Sequence, residues 1–153
     1  MEAEWLTDEE QGVWRRLLSV ESQLEGRLDH ELRETHKLSL AEYGVLVHLS
    51  EAGPEGLRMS ELAERLLLSR SGLTRRIDTM VRAGLVERRS CPDDGRGSMA
   101  SLTRDGQARL AEAAPTHVAG VRRYLLGPLG DLTGLSEGLD RVQAALHPEA
   151  PLT

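Results

Sequence analysis

The sequence predicts a mainly α-helical fold that contains one small β-hairpin. The 153-residue chain has no Phe, and its apolar residues are mostly Leu, Ala and Val, which suits a core of packed helices. Helix-capping signals and apolar residues at helical spacing predict long helices at both ends of the chain. Between them, residues 60–103 predict two short helices and then two strands around a charged, glycine-bearing loop.

Two helices are predicted before the central segment. The first begins at a capping box at 7–10 and runs to about Thr35. A second capping box at 39–42 begins a mostly buried helix that ends at 52–54. The apolar stripe of the first helix, which must be buried somewhere, consists of Trp14, Leu17, Leu18, Leu24, Leu28 and Leu32.

The central segment is predicted to begin with a very short strand at 57–58 and a helix at 60–66. After a tight turn, Ser69 is the expected N-cap of a second helix that runs to Ala83. Gly84 is the expected left-handed residue that ends this helix.

A strand pair is predicted at 85–89 and 98–102, with the loop 91–97 between the strands as a wing. A helix-turn-helix followed by such a hairpin is a winged helix-turn-helix. In that arrangement the second helix enters the major groove of DNA, and the wing contacts the backbone or the minor groove.

Two more helices are predicted after the wing. The first begins at Thr103, is kinked at Pro115 and ends at 127–128, and the second stops at Pro148 before a loose tail. Their apolar residues recur at helical spacing and are Leu110, Ala114, Val118, Val121 and Leu125 in the first and Leu135, Leu139, Val142 and Leu146 in the second.

Charge is divided unevenly along the chain. The net charge is −6, which by itself argues against a polyanionic partner. Residues 65–104, however, carry nine Arg against four acidic residues, a balance of +5, whereas the remainder carries −11. The central segment therefore offers a basic surface within an acidic protein, which favours DNA as its partner.

Several classes of protein are disfavoured by the sequence. No apolar run approaches the roughly 20 residues of a membrane-spanning helix, and the acidic N-terminus is unlike a secretory signal, so a cytoplasmic protein is expected. The single cysteine, Cys91, excludes an intrachain disulfide and a Cys-based zinc finger. No nucleophile elbow, HExxH motif or P-loop is present, so neither enzymatic activity nor a cofactor is expected.

In the central segment, Asp94-Gly95-Arg96 is followed by Leu102-Thr103 and Gly106. Before them stand, in order, Glu61-Leu62-Ala63, Leu66, Leu68-Ser69, Ser71, Leu73-Thr74-Arg75, Ile77-Asp78, Met80, Gly84-Leu85-Val86 and Arg88. These residues and their spacing resemble the MarR family of bacterial transcription regulators, whose wing signature is Asp-x-Arg and then Leu-Thr-x-x-Gly, and the resemblance extends over nearly the whole chain. Two departures are Leu67, where many helix-turn-helix proteins have Gly, and Arg58, where relatives often have a Thr or Ser cap.

The residues expected to contact DNA lie on the second helix of the motif and in the wing. The first turn of a helix offers unpaired N–H groups to a phosphate, and Arg can hold guanine O6 and N7 in a bidentate pair. Ile77, Met80 and Val81 are expected to face the core. The predicted contacts are Ser69, Arg70, Ser71, Thr74, Arg75 and Arg76 on the helix, and Asp94 and Arg96 in the wing, where the resemblance implies that Asp94 orients an arginine.

The two outer apolar stripes exceed what the small DNA-binding lobe can cover, although packing onto that lobe is the simpler alternative. We therefore expect a homodimer, which the resemblance also implies. The expected organisation is an N-terminal dimerisation helix (1–38), a winged helix-turn-helix lobe (39–103), C-terminal dimerisation helices (104–147) and a tail (148–153).

The resemblance also implies a small-molecule effector, here of unknown identity. Trp14 and Tyr43 are candidate effector contacts, although packing is the default role of such aromatics. Cys91 is expected to be a small residue at the base of the wing rather than a redox sensor. No metal site is expected, because the spacing of His30, His36, His48 and His117 matches no compact ligand motif.

These expectations combine into one function: a ligand-responsive repressor that binds a pseudo-palindromic operator in double-stranded DNA as a homodimer. The alternative is a winged-helix module that holds another protein without specific DNA binding. Such a module would more often present apolar residues where this sequence has arginines.

Overall fold

The computed structural model describes residues 5–91 and 97–147. It is mostly helical, with a small antiparallel sheet, so the predicted fold class is confirmed. The elements are α1 (Asp8–His36), α2 (Leu40–Ala52), β1 (Leu57–Arg58), α3 (Met59–Arg65), α4 (Arg70–Arg82), β2 (Val86–Ser90), β3 (Ser98–Leu102), α5 (Arg104–Val121), a π-helical turn (Arg122–Leu126), α6 (Gly127–Leu129) and α7 (Thr133–Leu146).

Both predicted capping boxes are present. In the box that begins α1, the Thr7 N–H donates to Glu10 Oε2 at 2.7 Å and the Glu10 N–H donates to Thr7 Oγ1 at 3.3 Å. Ser39 and Glu42 make the same pair of bonds at the start of α2, at 2.8 and 3.1 Å. Each box satisfies two backbone donors that a helix start would leave unpaired, which fixes where α1 and α2 begin.

The core is aliphatic, as the composition predicts, and lies where α2, α3, α4 and the sheet meet the second half of α1. α2 is mostly buried, and its side chains Val45, Leu46 and Leu49 are completely enclosed. The other largest buried side chains are Leu32, Leu62, Leu73, Ile77, Met80 and Val86.

The sheet has the order β1-β3-β2, and both pairings are antiparallel. β1 is the very short predicted strand, and it pairs Leu57 with Ala100. β2 and β3 form the hairpin of the wing, with Val86 opposite Leu102 and Ser90 opposite Ser98.

The Leu-Thr-x-x-Gly signature joins the wing to α5. Thr103 Oγ1 donates to the Gly84 carbonyl at 2.6 Å, and the Thr103 N–H donates to the Leu85 carbonyl at 3.2 Å. Gly106 is buried there, and a Cβ at this position would lie 2.0 Å from the Leu85 carbonyl oxygen. The signature requires Gly because the backbone of α5 approaches the turn after α4 too closely for any side chain.

We expect Gly106→Ala to destabilise the protein by about 1–3 kcal/mol, because α5 must shift away from residue 85 to admit a methyl group. Gly26→Ala is the matched control, since a Cβ at Gly26, also inside a helix, meets no atom within 4 Å. That variant should be stabilised by about 0.5–1 kcal/mol. Urea denaturation of both variants measures the difference, and equal stability would contradict the proposed close approach.

The predicted end of the helix after the wing, at 127–128, is wrong. The helix continues past Gly127-Pro128 through the π-helical turn and α6, and terminates at Gly130, whose φ is +68°. Pro128 lies at the start of α6, directly after the π-helical turn. Pro115 lies inside α5, which continues beyond it to Val121.

The apolar stripe of α1 is divided between two environments. Leu28 and Leu32 are buried in the chain's own core, whereas Trp14, Leu17 and Leu18 are exposed in the first half of the helix. The apolar residues of α7 are exposed as well, namely Leu135, Leu139, Val142 and Leu146. Among the described residues, no helix is both long enough and apolar enough to cross a membrane.

Candidate nucleic-acid interface

The helix α4 begins with the predicted cap. Ser69 Oγ accepts a hydrogen bond from the Gly72 N–H at 3.1 Å and lies 3.4 Å from Ser71 Oγ. The first turn contains no acidic residue, and Arg70 and Ser71 are exposed on it. The positive end of the helix dipole and its free N–H groups are therefore open to an anion.

The orientation of α4 is set by its buried face. Leu73, Ile77 and Met80 are enclosed in the core, which leaves Arg70, Ser71 and Arg75 on the solvent side. Thr74 is half-buried, and its hydroxyl donates to the carbonyl of residue 70 at 2.9 Å.

The expectation that Val81 faces the core is wrong, because Val81 is 38% exposed. At 100° per residue it lies about 80° around the helix axis from Leu73. That angle places it at the edge of the buried face.

The turn before α4 uses an uncommon residue. Leu67 has φ +53° and is 91% exposed, so this chain places Leu in the left-handed conformation that favours glycine. The turn nevertheless forms, since the N–H groups of Leu67 and Leu68 donate to the carbonyls of Glu64 and Ala63.

Arg88 joins the base of the wing to α4. Arg88 on β2 donates from Nε to Ser98 Oγ at 2.9 Å and from Nη1 to Asp78 Oδ1 at 3.1 Å. The neighbouring Arg89 donates to the Glu55 carbonyl at 2.8 Å. These bonds fix the base of the wing relative to the exposed face of α4. The predicted contacts Asp94 and Arg96 fall outside the described residues.

Comparison with known proteins supports a role of this surface in binding DNA. Residues 36–97 match the sequence model of the MarR family. AbsC, a MarR family transcriptional regulator from Streptomyces coelicolor, is 38% identical, with a TM-score of 0.88 over 96% of this chain and 100% of AbsC. This chain belongs to the MarR family. It is a DNA-binding transcriptional regulator.

Two other relatives of this MarR regulator are informative. Sco3205, a MarR family regulator from Streptomyces coelicolor whose structure is in complex with DNA, is 37% identical, with a TM-score of 0.89 over 97% of this chain and 94% of Sco3205. The HTH-type transcriptional regulator PecS of Dickeya dadantii is 31% identical over 114 residues, which are 72% of this chain and 68% of PecS.

Arg76 differs from the other predicted contacts of this MarR regulator. It is half-buried, and its Nε is enclosed without a hydrogen-bond partner among the described residues. Its positive charge helps to lower the pKa of Asp29 on α1. Arg76 therefore lies at the edge of α4 that faces α1, whereas Arg70 and Arg75 lie on the exposed face.

Asp29 joins α1 to the start of α2. Its carboxylate accepts from Arg33 Nε at 2.6 Å and from the Leu40 N–H at 2.8 Å. The hydrogen bond from Arg33 lowers the pKa of Asp29 most, followed by the bond from Leu40, and the charges of Arg33 and Arg76 lower it further. The ionised carboxylate therefore stabilises the junction of α1 with the DNA-binding lobe.

We expect Asp29→Asn to lower stability at pH 7 by less than about 1 kcal/mol, because the side chain is 34% exposed and solvent screens its charge. A lowered pKa stabilises the fold above the ordinary value of 3.8, and this contribution is lost as the pH falls through the folded-state pKa. The difference in urea midpoint between variant and wild type should thus be present at pH 7 and shrink by pH 3. A difference that is equal at both values would contradict this role, and Glu21→Gln on the exposed surface of α1 is the control.

The two candidate effector contacts are not brought together within one chain. Tyr43 is buried and stacks on His117, with 4.5 Å between ring centroids, and burial raises the pKa of Tyr43 and lowers that of His117. Trp14 is 52% exposed and lies in the first half of α1. At a rise of 1.5 Å per residue it is about 22 Å along the helix from Asp29, where α1 meets the start of α2.

A cleft of about 530 Å³ lies instead between α1 and the DNA-binding lobe. Glu25 and Asp29 line it from α1, and Leu40, Leu66 and Leu68 line it from the lobe. Neither Trp14 nor Tyr43 is among its lining residues. The sequence does not reveal this cleft because its lining residues are spread over positions 22–68 on several elements and have no pattern of their own.

The remaining candidate residues are the cysteine and the histidines. Cys91 is 4% exposed at the base of the wing, where the sequence analysis placed it. His36 lies 2.8 Å from the Thr116 hydroxyl, and His48 lies 3.8 Å from the Glu51 carboxylate. Within residues 5–91 and 97–147, no group of three or more His, Cys, Asp or Glu side chains could hold a metal ion.

Proposed function

We propose that this MarR regulator is a ligand-responsive repressor that binds a pseudo-palindromic operator as a homodimer. The observation that carries the proposal is the exposed face of α4, which presents a capped N-terminus and several donors but no carboxylate in its first turn. The proposed DNA contacts are Ser69, Arg70, Ser71, Thr74 and Arg75 on α4, Arg76 at the edge of α4 that faces α1, and Asp94 and Arg96 in the wing.

The exposed apolar residues of α1 and α7 support the homodimer. Trp14, Leu17 and Leu18 on α1 are uncovered, as are Leu135, Leu139, Val142 and Leu146 on α7. Contiguous apolar surface on two long helices is typical of a protein interface. The dimerisation regions are then residues 1–38 and 104–147, on either side of the DNA-binding lobe at 39–103, with 148–153 as a tail.

A twofold dimer imposes a geometry on the operator. Its two copies of α4 are related by a twofold axis, so the half-sites are inverted repeats about one helical turn apart. A wrong spacing would prevent both helices from entering the major groove at once.

Effector response is assigned to the cleft between α1 and the lobe. A ligand that binds there more tightly in one arrangement of α1 and the lobe shifts the spacing of the two α4 helices. Trp14 and Tyr43 stay candidate effector contacts, although neither lines this cleft within one chain. CouR from Rhodococcus jostii RHA1, which shares the fold at 24% identity and a TM-score of 0.78, has been crystallised with p-coumaroyl-CoA.

Repression is supported by a curated relative. The HTH-type transcriptional repressor YetL of Bacillus subtilis is 34% identical over 80 residues, which are 52% of this chain and 48% of YetL. The match covers about half of each chain, so repression is a proposal for this chain.

Footprinting on the DNA upstream of the protein's own gene tests the proposal. We expect two protected half-sites that form an inverted repeat with centres about 10–10.5 base pairs apart, or a multiple of that spacing. Protection without any preferred site, or of a single half-site, would contradict the dimeric operator-binding repressor. It would favour a module that binds another protein.

A further inference from the structure

A cavity of about 610 Å³ lies between the middle of α1 and the π-helical turn that follows α5. α1 lines it with Val20, Leu24, Arg27 and His30, and the π-helical turn contributes Tyr124. None of its described lining residues belongs to the DNA-binding lobe. The cavity is therefore distinct from the cleft assigned to the effector, whose second wall is the lobe.

We propose that this cavity binds a small organic acid, a molecule with an apolar or aromatic body and one anionic group, and that Arg27 holds the anionic group. The site goes beyond the proposed function, because neither the operator nor the effector cleft enters its assignment. Its volume lies within the roughly 300–1,000 Å³ that is typical of small-molecule sites.

α1 separates this cavity from the effector cleft. Val20, Leu24 and Arg27 are spaced by four and three residues, so they share one face of the helix. At 100° per residue, Arg27 lies about 160° around the helix axis from Glu25 and from Asp29, which line the cleft. The two cavities thus lie on opposite sides of α1, and a ligand of one does not enter the other.

Tyr124 is fixed at the cavity by contacts within the chain. Its hydroxyl donates to Glu31 Oε1 at 2.5 Å. Just before the π-helical turn, α5 runs so close to α1 that a Cβ at Gly120 would lie 2.6 Å from Leu28 Cδ2. π-helical turns are rare and occur frequently at functional sites. The cavity wall that Tyr124 forms is therefore in place before a ligand binds.

Arg27 is the cation that the cavity offers to a ligand. Among the residues that the structure describes, it has no hydrogen bond, ion pair or ring contact. Glu31, four residues further along α1, does not neutralise it, because that carboxylate accepts from Tyr124 and lies 3.5 Å from Arg123. None of the described lining residues is acidic. A guanidinium holds both oxygens of a carboxylate at once, and His30 adds a ring N–H donor one turn further along.

The rest of the lining favours an apolar body with a single charge. Leu24 and Tyr124 are half-buried, and Val20 is 50% exposed. These side chains cover the apolar part of a ligand while Arg27 orients its acid group. One arginine matches one anionic group, whereas a polyanion such as a nucleoside triphosphate would need several cations.

A second copy of the chain is the competing occupant, since Val20 adjoins the exposed apolar surface of the first half of α1. Apolar residues of a partner helix would bury the Arg27 guanidinium without a counter-charge, which is unfavourable. A small acid supplies that counter-charge.

The test is a fluorescence titration of the full chain with two probes, at several protein concentrations. One probe is anilinonaphthalene sulfonate, an aromatic anion, and the other is phenylnaphthylamine, which has the same rings without the sulfonate. We expect Arg27→Gln to weaken binding of the anionic probe by about 10-fold, the loss of one charge-assisted hydrogen bond, and to leave binding of the neutral probe unchanged. Tyr124→Ala should weaken binding of both probes. Arg16→Gln removes the same charge about 16 Å earlier on the same face of α1, outside the cavity, and should bind both probes like wild type.

Equal affinity of Arg27→Gln and wild type for the anionic probe would overturn the proposal, and so would the absence of saturable binding of that probe to wild type. An affinity that falls as the protein is concentrated and dimers form would show that the partner chain fills the cavity, which also overturns it. Unchanged binding of the neutral probe shows that Arg27→Gln is folded. No DNA is present in the titration, so a failure of operator binding would defeat the proposed function but not this site.

Discussion

Leu139→Glu on α7 is expected to convert the protein to a monomer and to abolish operator binding. Leu139 lies in the middle of the apolar stripe of α7 and is 49% exposed in the isolated chain. A carboxylate there must be buried without a partner when two chains associate, which costs several kcal/mol. At about 3 kcal/mol the dimer dissociation constant rises by roughly 100-fold.

The consequence for DNA follows from geometry. A monomer offers one α4 helix, so it loses the second half-site and retains little more than non-specific affinity. Light scattering measures the mass, and anisotropy on the operator measures the affinity.

Ala144→Glu is the matched control for this experiment. At 100° per residue, position 144 lies about 140° around α7 from Leu139, on the side away from the stripe. The control adds the same charge and should remain a dimer. If Leu139→Glu remains dimeric at micromolar concentration, α7 is not part of the dimer interface.

Arg75→Ala is expected to reduce operator affinity by about 30-fold or more while non-specific affinity falls only a few-fold. Arg75 is exposed in the second turn of α4, on the side opposite to Leu73 and Ile77. A bidentate contact from Arg to guanine contributes about 1–3 kcal/mol of discrimination, and a dimer makes it twice.

The readout for Arg75 is the ratio of operator to scrambled-DNA affinity at one fixed salt concentration. Arg82→Ala removes the same charge from the last turn of α4, where Arg82 donates to the Thr79 hydroxyl. That control should lower both affinities together and keep their ratio. An Arg75→Ala variant that also keeps the wild-type ratio would mean that Arg75 does not contact bases.

Much of the fold could be predicted because its signals are local. The capping boxes at Thr7 and Ser39, the Ser69 cap and the left-handed Gly84 each act within four residues, so their sequence patterns determine helix ends directly. The end of the helix after the wing could not be predicted in the same way. Gly127-Pro128 is a common helix stop, yet a π-helical turn carries the helix through it.

The parts of the site that depend on tertiary structure were not visible in the sequence. Arg88 and Asp78 have no sequence pattern in common, and only the packing of the hairpin against α4 brings them within 3.1 Å. Arg76 has the same sequence signal as Arg75, but the rotation of α4 against the core turns it toward α1. Periodicity predicted the apolar stripes of α1 and α7, whereas which half of α1 remains uncovered depends on where α5 crosses it.

The exposed face of α4 is expected to read a specific DNA sequence. Competition between the DNA upstream of the protein's own gene and a scrambled duplex of equal length, at two salt concentrations, tests it most directly. We predict a preference of at least about 1,000-fold for the upstream DNA that persists at the higher salt while both affinities fall. Equal affinity for the two duplexes at both salt concentrations would contradict the claim.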